Sequence, residues 1–515
     1  MACSGRMGRH YMTVTIHSDD VDRFRAAIGR GLGLHFDESK RDFLAEVLHA
    51  RLQDNGRTGE RYLEWLESEN SPAEWQALGQ NLTVPETYFF RHNEQFQAFS
   101  DVVLPARLRA QAARRQLKIL SAGCASGEEA YTLAILLRET PDAASWHIDI
   151  SGVDINPAVI DKARRARYST WALRETTTAM QRRWFRAAGR DNLLDESIRD
   201  AVHFEQRNLA VDDAELWRPH SYDVIFCRNV LMYFTPENAQ RLVGRIARAL
   251  VPGGYLFLGH AETLRGLSQD FHLCHTHDAF YYRRRGESGA SVQHEPLHTA
   301  RTAALAASPT TAGASDTDWM DAIQRASERI HALAALPVPG SSPTVVAPWD
   351  LRAARDLLRA ERYAEALDAI DALPPEAEHD NDVLLLQAVL LSHAGRCAEA
   401  ERSCKRLLSR DELNAGAHYV MALCRESVSD TRGATEHNRT ATYLDPSFAM
   451  PRLQLGLLAR RAEDVEATRR ELAQALALLQ REEPARLLMY GGGFSREALL
   501  ALCRAELKAC GGAHD

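Results

Sequence analysis

One strand–turn–helix segment of the chain places residues suited to ligand binding close together. Within residues 117–134 (LKILSAGCASGEEAYTLA), Gly123 and Gly127 lie in the turn that follows an apolar run. Glycines there let backbone amides approach a ligand beside a helix N-terminus, although a tight turn also needs them for steric reasons. The turn lacks the dinucleotide pattern G-x-G-x-x-G, and Glu128 and Glu129 follow it directly. Two acids disfavour a phosphate and suit a ligand with an ammonium group.

Polar side chains also follow the next apolar runs. Asp154 follows the run at 148–153, and an acid at the carboxyl end of a neighbouring strand can accept hydrogen bonds from ribose hydroxyls. Its alternative role is to cap the next helix, which Asn156 could do instead. Asn208 and Leu209 follow a third apolar segment, where an amide could reach an adenine, although asparagine is also a common turn residue.

A third group of residues lies earlier, in LTVPETYFFRH at 82–92. Its aromatic residues Tyr88, Phe89 and Phe90 directly precede Arg91. One interpretation is an apolar anchor that docks a helical domain on a sheet, with a solvated arginine. The other is an arginine held in an apolar wall near the ligand.

The elements that position these residues follow from hydrophobic periodicity. Residues from about 18 to 105 show helical spacing, and from 117 onward short apolar runs alternate with helical patterns. This alternation predicts a mostly parallel sheet with helices on both faces. The apolar runs are 117–122, 148–153, 222–227 and 254–259, and the helical segments between them are 128–139, 157–166 and 236–251. A last run, AFYYRR at 279–284, is predicted to be an edge strand.

The C-terminal part of the chain repeats with a period of 34 residues. Small residues recur at two positions of this period, as expected where the two helices of a hairpin touch closely. These positions hold Ala354, Ala388, Ala422 and Gly456, and then Ala366, Ala400, Ala434 and Thr468. A plain helical bundle with accidental alanine spacing is the alternative. Eight positions in register favour a tetratricopeptide (TPR) array.

Composition excludes several classes of protein. The chain has 515 residues, and 62 Lys+Arg against 70 Asp+Glu give a net charge of −8, which disfavours a general nucleic-acid or membrane-surface binder. No apolar run approaches the roughly 18 residues of a membrane span, and the first residues lack a signal peptide's apolar core. The nine cysteines include no C-x-x-C pair, and HAE and HTH have no second ligand cluster. A cytoplasmic protein with reduced thiols and no metal is expected.

Five motifs, in order, resemble those of the chemotaxis-receptor (CheR-type) methyltransferases. They are LTVPETYFFRH, SAGCASGEEAYTLA, VDIN, FCRNVLMYF and FLGHAET. The resemblance covers about residues 18–285 and implies methyl transfer from S-adenosylmethionine to receptor glutamate side chains. This cofactor carries an ammonium group and no phosphate, which agrees with the two acids after the turn.

Matched motif by motif, the resemblance implies a role for each site residue. Arg91 and Tyr233 would be catalytic, with Tyr233 near the sulfonium. The cofactor would be lined by Thr87 and Arg91, by Glu129 at its amino-acid end, by Asp154 at the ribose, by Asn208 and Leu209 at the adenine, and by Arg228 and Asn229 opposite. Pro85 stands where the family often has Asn, so one cofactor hydrogen bond could be missing or made by the backbone.

The segment at 37–56 resembles the family's receptor-facing helix, which is usually richer in arginine. Lys40, Arg41 and Arg51 remain on its expected surface, where Val47 and Ala50 are also placed. A less acidic substrate, or one held elsewhere, is one interpretation. A solvated face of mixed charge is the other.

The expected fold is multi-domain: a small all-α N-terminal domain, an α/β Rossmann-like methyltransferase domain and an α-helical TPR solenoid. The predicted divisions are a tail at 1–17, helices at 18–105, the methyltransferase domain at 106–285, a linker at 286–347 with a short helix near 319–333, repeats at 348–482 and a cap at 483–515. The predicted function is methylation of glutamates on a chemoreceptor-like protein, with the repeats docking a protein or peptide partner. A catalytically silent cofactor-binding scaffold and a small-molecule methyltransferase are the alternatives.

Overall fold

The computed structural model describes residues 17–68, 71–83, 86–260, 262–286 and 349–511. Pro85, the helix expected near 319–333 and residues 287–347 of the predicted linker lie outside the described residues. The chain forms two compact units. The first is Met1–Gly259 with Cys274–Glu287, and the second is His260–Leu273 with Ser288–Asp515. No helix in the described ranges is both long and apolar enough to cross a membrane.

Four helices at the start of the first unit pack around a core of their own. They are α1 (Ser18–Gly31), α2 (Arg41–Asn55), α3 (Gly59–Glu67) and α4 (Pro72–Leu82). Phe24, Leu48 and Leu78 are fully buried in this core. Val47 is buried there too, which corrects its expected place on the surface of α2. The helical period alone does not give the rotation of a helix about its axis, and α2 presents Val47 to the core.

Arg51 is likewise a structural residue of these helices. Its Nε and Nη2 donate to the two carboxylate oxygens of Glu74 over 2.8 and 2.7 Å. The Tyr62 hydroxyl donates to the same carboxylate over 2.7 Å. Glu74 is buried, so removal of Arg51 would leave a buried charge without its partner. Arg51 therefore stabilises the helical domain, although the sequence placed it on a partner-facing surface.

A seven-stranded sheet follows these helices in the first unit, and only Phe271–Leu273 of its strands belong to the second unit. Its strands are β1 (Gln116–Ala122), β2 (His147–Asp154), β6 (Val202–Gln206), β7 (Tyr222–Cys227), β8 (Leu250–Leu258), β9 (Phe271–Thr276) and β10 (Ala279–Arg284). Their order is β6-β2-β1-β7-β8-β10-β9. Pairing is parallel from β6 to β8, so the predicted parallel sheet is confirmed. The order reverses direction at β1, where ligands bind in open α/β sheets.

The prediction that residues 279–284 form the edge of the sheet is wrong. β10 pairs antiparallel with β8, and β9 lies outside it. Two residues, His277 and Asp278, join β9 to β10, and both adopt positive φ, as a tight hairpin requires. The run FHLCHT at 271–276, which forms β9, mixes apolar and polar residues and was not among the predicted strands.

Helices connect the strands. They are α7 (Glu128–Glu139), α8 (Pro157–Arg165), α9 (Thr178–Trp184), α10 (Glu196–Arg199) and α11 (Pro236–Ala249). Between α8 and β6, β3 (Arg167–Tyr168), β4 (Phe185–Ala188) and β5 (Asp191–Leu194) form a small sheet of order β3-β5-β4. The helices α5 (Asn93–Ala98) and α6 (Leu104–Ala110) are joined by a π-helical turn and pack into the core of the large sheet.

Four helix hairpins form the second unit. Their helices are α12 (Arg352–Arg359), α13 (Tyr363–Asp371), α14 (Asn381–His393), α15 (Cys397–Arg410), α16 (Ala415–Ser427), α17 (Thr431–Leu444), α18 (Ala449–Arg461) and α19 (Val465–Leu479). Two more helices follow, α20 (Pro484–Tyr490) and α21 (Arg496–Gly511). The small residues predicted at helix contacts are buried, and a Cβ on Gly456 would lie 2.6 Å from Leu472. The TPR-like solenoid is thus built on the predicted period.

The second unit also includes the connection from β8 to β9 and the first residues of β9. Along this segment, His260–Leu273, the Glu262 carbonyl accepts from the Tyr443 hydroxyl over 2.7 Å. Arg265 pairs with Asp445 at 3.0 Å. The repeats therefore hold a segment that is distant from them in sequence.

Candidate active site

The turn after β1 owes its glycines to close packing. Gly123 and Gly127 have φ of 78° and 90°, where a side chain is strained. A Cβ on Gly123 would overlap the Val230 side chain, and one on Gly127 would lie 2.8 Å from Ala163. The Gly123 amide donates to the Val153 carbonyl over 2.8 Å. The steric interpretation of these glycines therefore holds in the structure.

Asp154 joins the end of β2 to this turn. Its Oδ2 accepts from the Ala125 amide and its Oδ1 from the Asn156 amide, each over 2.9 Å. Asn156, and not Asp154, caps α8, because its Oδ1 accepts from Ala158 and Val159. Each carboxylate oxygen keeps a further lone pair, so Asp154 can still accept from ribose hydroxyls. Burial raises the pKa of Asp154.

Glu129 lies at the first turn of α7 with its side chain 13% exposed. Its Oε1 accepts from the Ser121 hydroxyl over 2.6 Å, and its Oε2 lies 3.4 Å from Arg228 Nη1. Burial raises the pKa of Glu129, while Arg228 and Ser121 act in the opposite direction. This carboxylate is placed to accept from an ammonium group.

Arg228 follows β7 and links Glu129 to Arg91. Its Nη2 donates to the Arg91 carbonyl oxygen over 2.5 Å, and its guanidinium lies 5.2 Å from the centre of the Phe96 ring. The Arg91 side chain donates from Nη1 to the Glu86 carbonyl over 2.7 Å. One N–H of the Arg91 guanidinium thus donates to its own loop, and the guanidinium has further N–H donors for a ligand.

The aromatic residues before Arg91 are anchors. Phe89 is fully buried and makes edge contacts with Tyr168 and Phe185 at 4.9 and 5.0 Å. Phe90 is also buried in the core of the sheet. The anchor interpretation therefore describes the aromatic residues, and Arg91 follows them at the edge of the site.

Glu128 has different partners from Glu129. It is buried, and both of its oxygens accept from the Ser126 hydroxyl at 3.0 and 2.8 Å. Lys162 in turn donates to that hydroxyl over 3.3 Å. Burial raises the pKa of Glu128 to about 7. Only the second of the two acids is therefore available to a ligand in the turn.

Three predicted residues lie where the N-terminal helices meet the sheet. The Asn208 amide donates to the Gly31 carbonyl over 3.0 Å, and the Leu209 carbonyl accepts from Arg245 over 2.8 Å. The Tyr233 side chain is 41% exposed, and its carbonyl accepts from the His35 amide over 2.7 Å.

Two further predicted residues are close in sequence to the two arginines. Thr87 is half-buried, four residues before Arg91. Asn229 follows Arg228 with φ of 57°. Of the predicted set, the structure brings Arg91, Glu129 and Arg228 together most directly.

Sequence reasoning missed Ser121 and Ala125. Ser121 orients Glu129, and the only signal for it was its position at the end of the first apolar run. Ala125 has φ of 46°, a conformation that costs a non-glycine residue about 1–3 kcal/mol. Phe90 and His92 also have positive φ, at 59° and 57°. Residues with a left-handed backbone conformation thus lie both in the turn after β1 and next to Arg91.

The donor set fits S-adenosylmethionine. A partly exposed carboxylate, Glu129, suits the ammonium of its amino-acid part, and Asp154 at the next strand suits the ribose. A phosphate would meet two carboxylates here, so a nucleotide phosphate fits poorly.

Comparisons with known proteins agree with this site. Residues 85–280 match the family model "CheR methyltransferase, SAM binding domain". The chain is 31% identical over 408 residues to the probable biofilm formation methyltransferase WspC of Pseudomonas putida, covering 79% of this chain and 86% of that protein. It is 34% identical over 264 residues to chemotaxis protein methyltransferase 2 of Vibrio cholerae, covering 50% of this chain and 91% of that protein.

The chemotaxis protein methyltransferase of Escherichia coli is 32% identical over 256 residues, which covers 49% of this chain and 86% of that protein. The similarity to the Pseudomonas putida protein thus extends over a larger share of the chain than either chemotaxis match. The predicted cofactor, S-adenosylmethionine, is confirmed by the match to its binding domain.

Proposed function

This chain belongs to the CheR methyltransferase family, and we propose that it methylates glutamate side chains of a chemoreceptor-like signalling protein. The names of its relatives, which include chemotaxis methyltransferases, support a receptor of that kind as substrate. The methyl group comes from S-adenosylmethionine, and the product on the substrate is a γ-carboxyl methyl ester.

The observation that carries this proposal is the connected group Arg91–Arg228–Glu129. Arg228 contacts both the Glu129 carboxylate and the Arg91 carbonyl, so one side chain fixes the cofactor's ammonium site relative to Arg91. An arginine next to the cofactor is suited to hold a substrate carboxylate through charge-assisted hydrogen bonds.

The reaction needs little beyond this arrangement. A glutamate carboxylate, with a pKa of about 4.3, is already ionised at neutral pH, so no general base is required. The cofactor supplies a methyl group on a positively charged sulfur. The residues of the chain then align the two reactants and exclude water, with Arg91 holding the carboxylate and Tyr233 at the mouth of the site.

The repeats are proposed to dock a protein or peptide partner. Solenoids of this type present an extended face for binding, and a second contact raises the effective concentration of a substrate held in the same complex. Deletion of residues 348–515 would also strip the partners of His260–Leu273, such as Asp445 for Arg265. Point variants in the full chain are therefore the cleaner test of docking.

The test of the proposed activity uses the full chain, S-adenosylmethionine with a labelled methyl group, and the cytoplasmic signalling domain of a chemoreceptor. The expected result is label on the receptor that mild alkali releases as methanol, because methyl esters are hydrolysed and methyl amines are not. Calorimetry with S-adenosylhomocysteine is run on the same sample.

Two results would contradict the proposal. Saturable binding of S-adenosylhomocysteine without transfer to any receptor would favour the silent scaffold. A second incubation mixes the chain and the labelled cofactor with a cell lysate. Label on small molecules of the lysate, with none on protein, would favour a small-molecule methyltransferase.

A further inference from the structure

The helix α20 lies across the first helices of the repeat hairpins. It contacts α12 and α14, where His393 Nε2 lies 3.1 Å from the Met489 carbonyl oxygen. At its end, the Tyr490 ring packs against Tyr419 of α16 and against Phe448, which precedes α18, with centroid distances of 5.7 and 4.9 Å. α20 therefore contacts the first helix of three hairpins and the residue that precedes the fourth, so it spans the row of first helices. Solenoid repeats bind partners along such extended surfaces.

Two features of the hairpins are fitted to α20. The first is Gly416 in α16, where a Cβ would overlap the Tyr490 hydroxyl oxygen. The second is Asp445, which pairs with Arg486 at 2.7 Å while the Arg486 guanidinium lies 4.6 Å from the Phe448 ring centre. The hairpins thus offer a socket for an aromatic ring and an acid for an arginine.

The packing of α20 is nevertheless incomplete. None of its residues is fully buried, although Leu487, Leu488, Met489 and Tyr490 are all apolar or aromatic. A pocket of about 430 Å³ remains beside it, lined by residues that include Tyr363 and Leu488. Seven residues are too few for a helix that is stable without tertiary contacts.

A flexible connection follows α20. Gly491, Gly492 and Gly493 join it to α21, and the last two have φ of 64° and 80°. Three glycines restrict the backbone least, so α20 can leave the hairpins without unfolding α21.

We propose that α20 is a displaceable strap, which occupies the partner-binding face of the repeats until a partner peptide replaces it. The inference deepens the docking role proposed for the repeats and rests on it. The partner's chemistry follows from what α20 inserts: an arginine for Asp445 and, four positions later, an aromatic ring for the Gly416 socket, with leucine or methionine between them.

Asp445 gives the strap a second consequence. Its Oδ2 accepts from both Arg486 of the strap and Arg265 of the His260–Leu273 segment, at 2.7 and 3.0 Å. If a partner supplies an arginine in place of Arg486, Asp445 keeps two arginine partners. If the strap leaves and nothing replaces it, Asp445 keeps only its contact with Arg265. Partner arginine and strap arginine thus compete for one carboxylate.

The test uses the full chain and a fluorescein-labelled peptide of residues 481–494, REEPARLLMYGGGF. In the variant R486A/Y490A the strap is weakened while Asp445, Gly416 and Phe448 stay intact. We expect this variant to bind the peptide at least about tenfold more tightly than the unchanged chain, as judged by fluorescence anisotropy. The exposed Arg481→Ala is the matched control and should not change peptide affinity.

Further arms make the result decisive. Adding D445N to R486A/Y490A should remove most of the gained affinity, and a peptide lacking the arginine and tyrosine should not bind. Peptide binding that is equal in the unchanged chain and in a folded R486A/Y490A variant overturns the proposal. Exchange of α20 with a second copy of the chain, seen as a dimer by light scattering, also overturns it.

Hydrogen exchange of the unchanged chain covers the case in which the variant does not fold. The strap predicts that amides of α20 exchange much faster than those of α14 and α18, and equal protection contradicts it. The outcome is separate from methyl transfer. If the variant chain binds the peptide as expected but the protein methylates no receptor, the strap proposal is supported and the proposed methylation is contradicted.

Discussion

Arg228 Nη2 donates to the carbonyl oxygen of Arg91 over 2.5 Å. The contact joins the end of β7 to the segment before α5, which are 137 residues apart in the chain. It uses the backbone of Arg91 and leaves the Arg91 side chain to other partners. Binding of the cofactor and orientation of the substrate can therefore be tested separately at these two arginines.

Replacement of Arg228 by lysine should weaken cofactor binding. An ammonium group cannot span Glu129 and the Arg91 carbonyl as the planar guanidinium does, so one charged contact is lost. We expect the affinity for S-adenosylhomocysteine to fall about tenfold, or about 1.4 kcal/mol, in calorimetry. The exposed Arg109→Lys is the control, and an Arg228→Lys variant of unchanged affinity would show that this contact does not support the site.

Arg91→Ala should abolish most transfer while cofactor binding survives. The variant keeps the carbonyl that Arg228 needs and removes only the guanidinium proposed to hold the substrate carboxylate. We expect a decrease of about a hundredfold in kcat/KM, with little change in calorimetry. An equal loss of binding and transfer would count against this division of roles, and Arg109→Ala serves as the control.

Cofactor affinity should depend on pH through Glu129. Burial raises the pKa of this carboxyl above its ordinary value of 4.5, so acid neutralises it while an exposed glutamate would still be ionised. The affinity for S-adenosylhomocysteine should therefore fall as the pH is lowered from 7, before an exposed glutamate would be protonated. In Glu129→Gln we expect about tenfold weaker binding at pH 7 and a flatter pH profile, measured by calorimetry. A profile as steep as that of the unchanged chain would assign the titration to another group, such as Asp154.

Glu128 should make the first unit less stable at neutral pH than at acidic pH. Its pKa is about 7 in the folded protein against 4.5 as the ordinary value, so the folded state retains a proton that the unfolded chain releases. The free energy of unfolding then falls as the pH rises from 4.5 to 7, by at most about 3 kcal/mol. Glu128→Gln removes this titration.

Calorimetric melting between pH 5 and pH 8 measures this effect. As the pH rises, the Tm of the unchanged chain should fall relative to the Tm of Glu128→Gln. The exposed Glu175→Gln is the control. If the difference in Tm between Glu128→Gln and the unchanged chain is the same at every pH, as expected for Glu175→Gln, then Glu128 is not the titrating group.

The sequence predicted the elements whose signal is local. The period of 34 residues marked small residues that the structure buries, because close helix contacts admit only small side chains. At the end of β2 the sequence offered Asp154 or Asn156 as the cap of α8, and the structure uses Asn156. Turn residues and strand ends are visible in sequence because they depend on a few neighbouring residues.

Long-range contacts were not predictable in this way. A charge such as that of Arg51 gives no sign that its partner Glu74 is buried with it. The strap α20 is too short for a clear helical period, and its socket at Gly416 lies 68 to 74 residues earlier in the chain. Asn208 contacts Gly31 across 177 residues, so its role in joining domains depends on the fold and not on its own neighbours.

The regular spacing of the hairpins bears on how this protein can change over evolutionary time. The hairpins that start with α14, α16 and α18 begin 34 residues apart, and each carries the same pair of small positions where its two helices touch. Duplication or loss of one such block would reproduce an interface that already exists. Selection can therefore alter the number of hairpins through single genetic events, while the residues that perform the chemistry remain untouched.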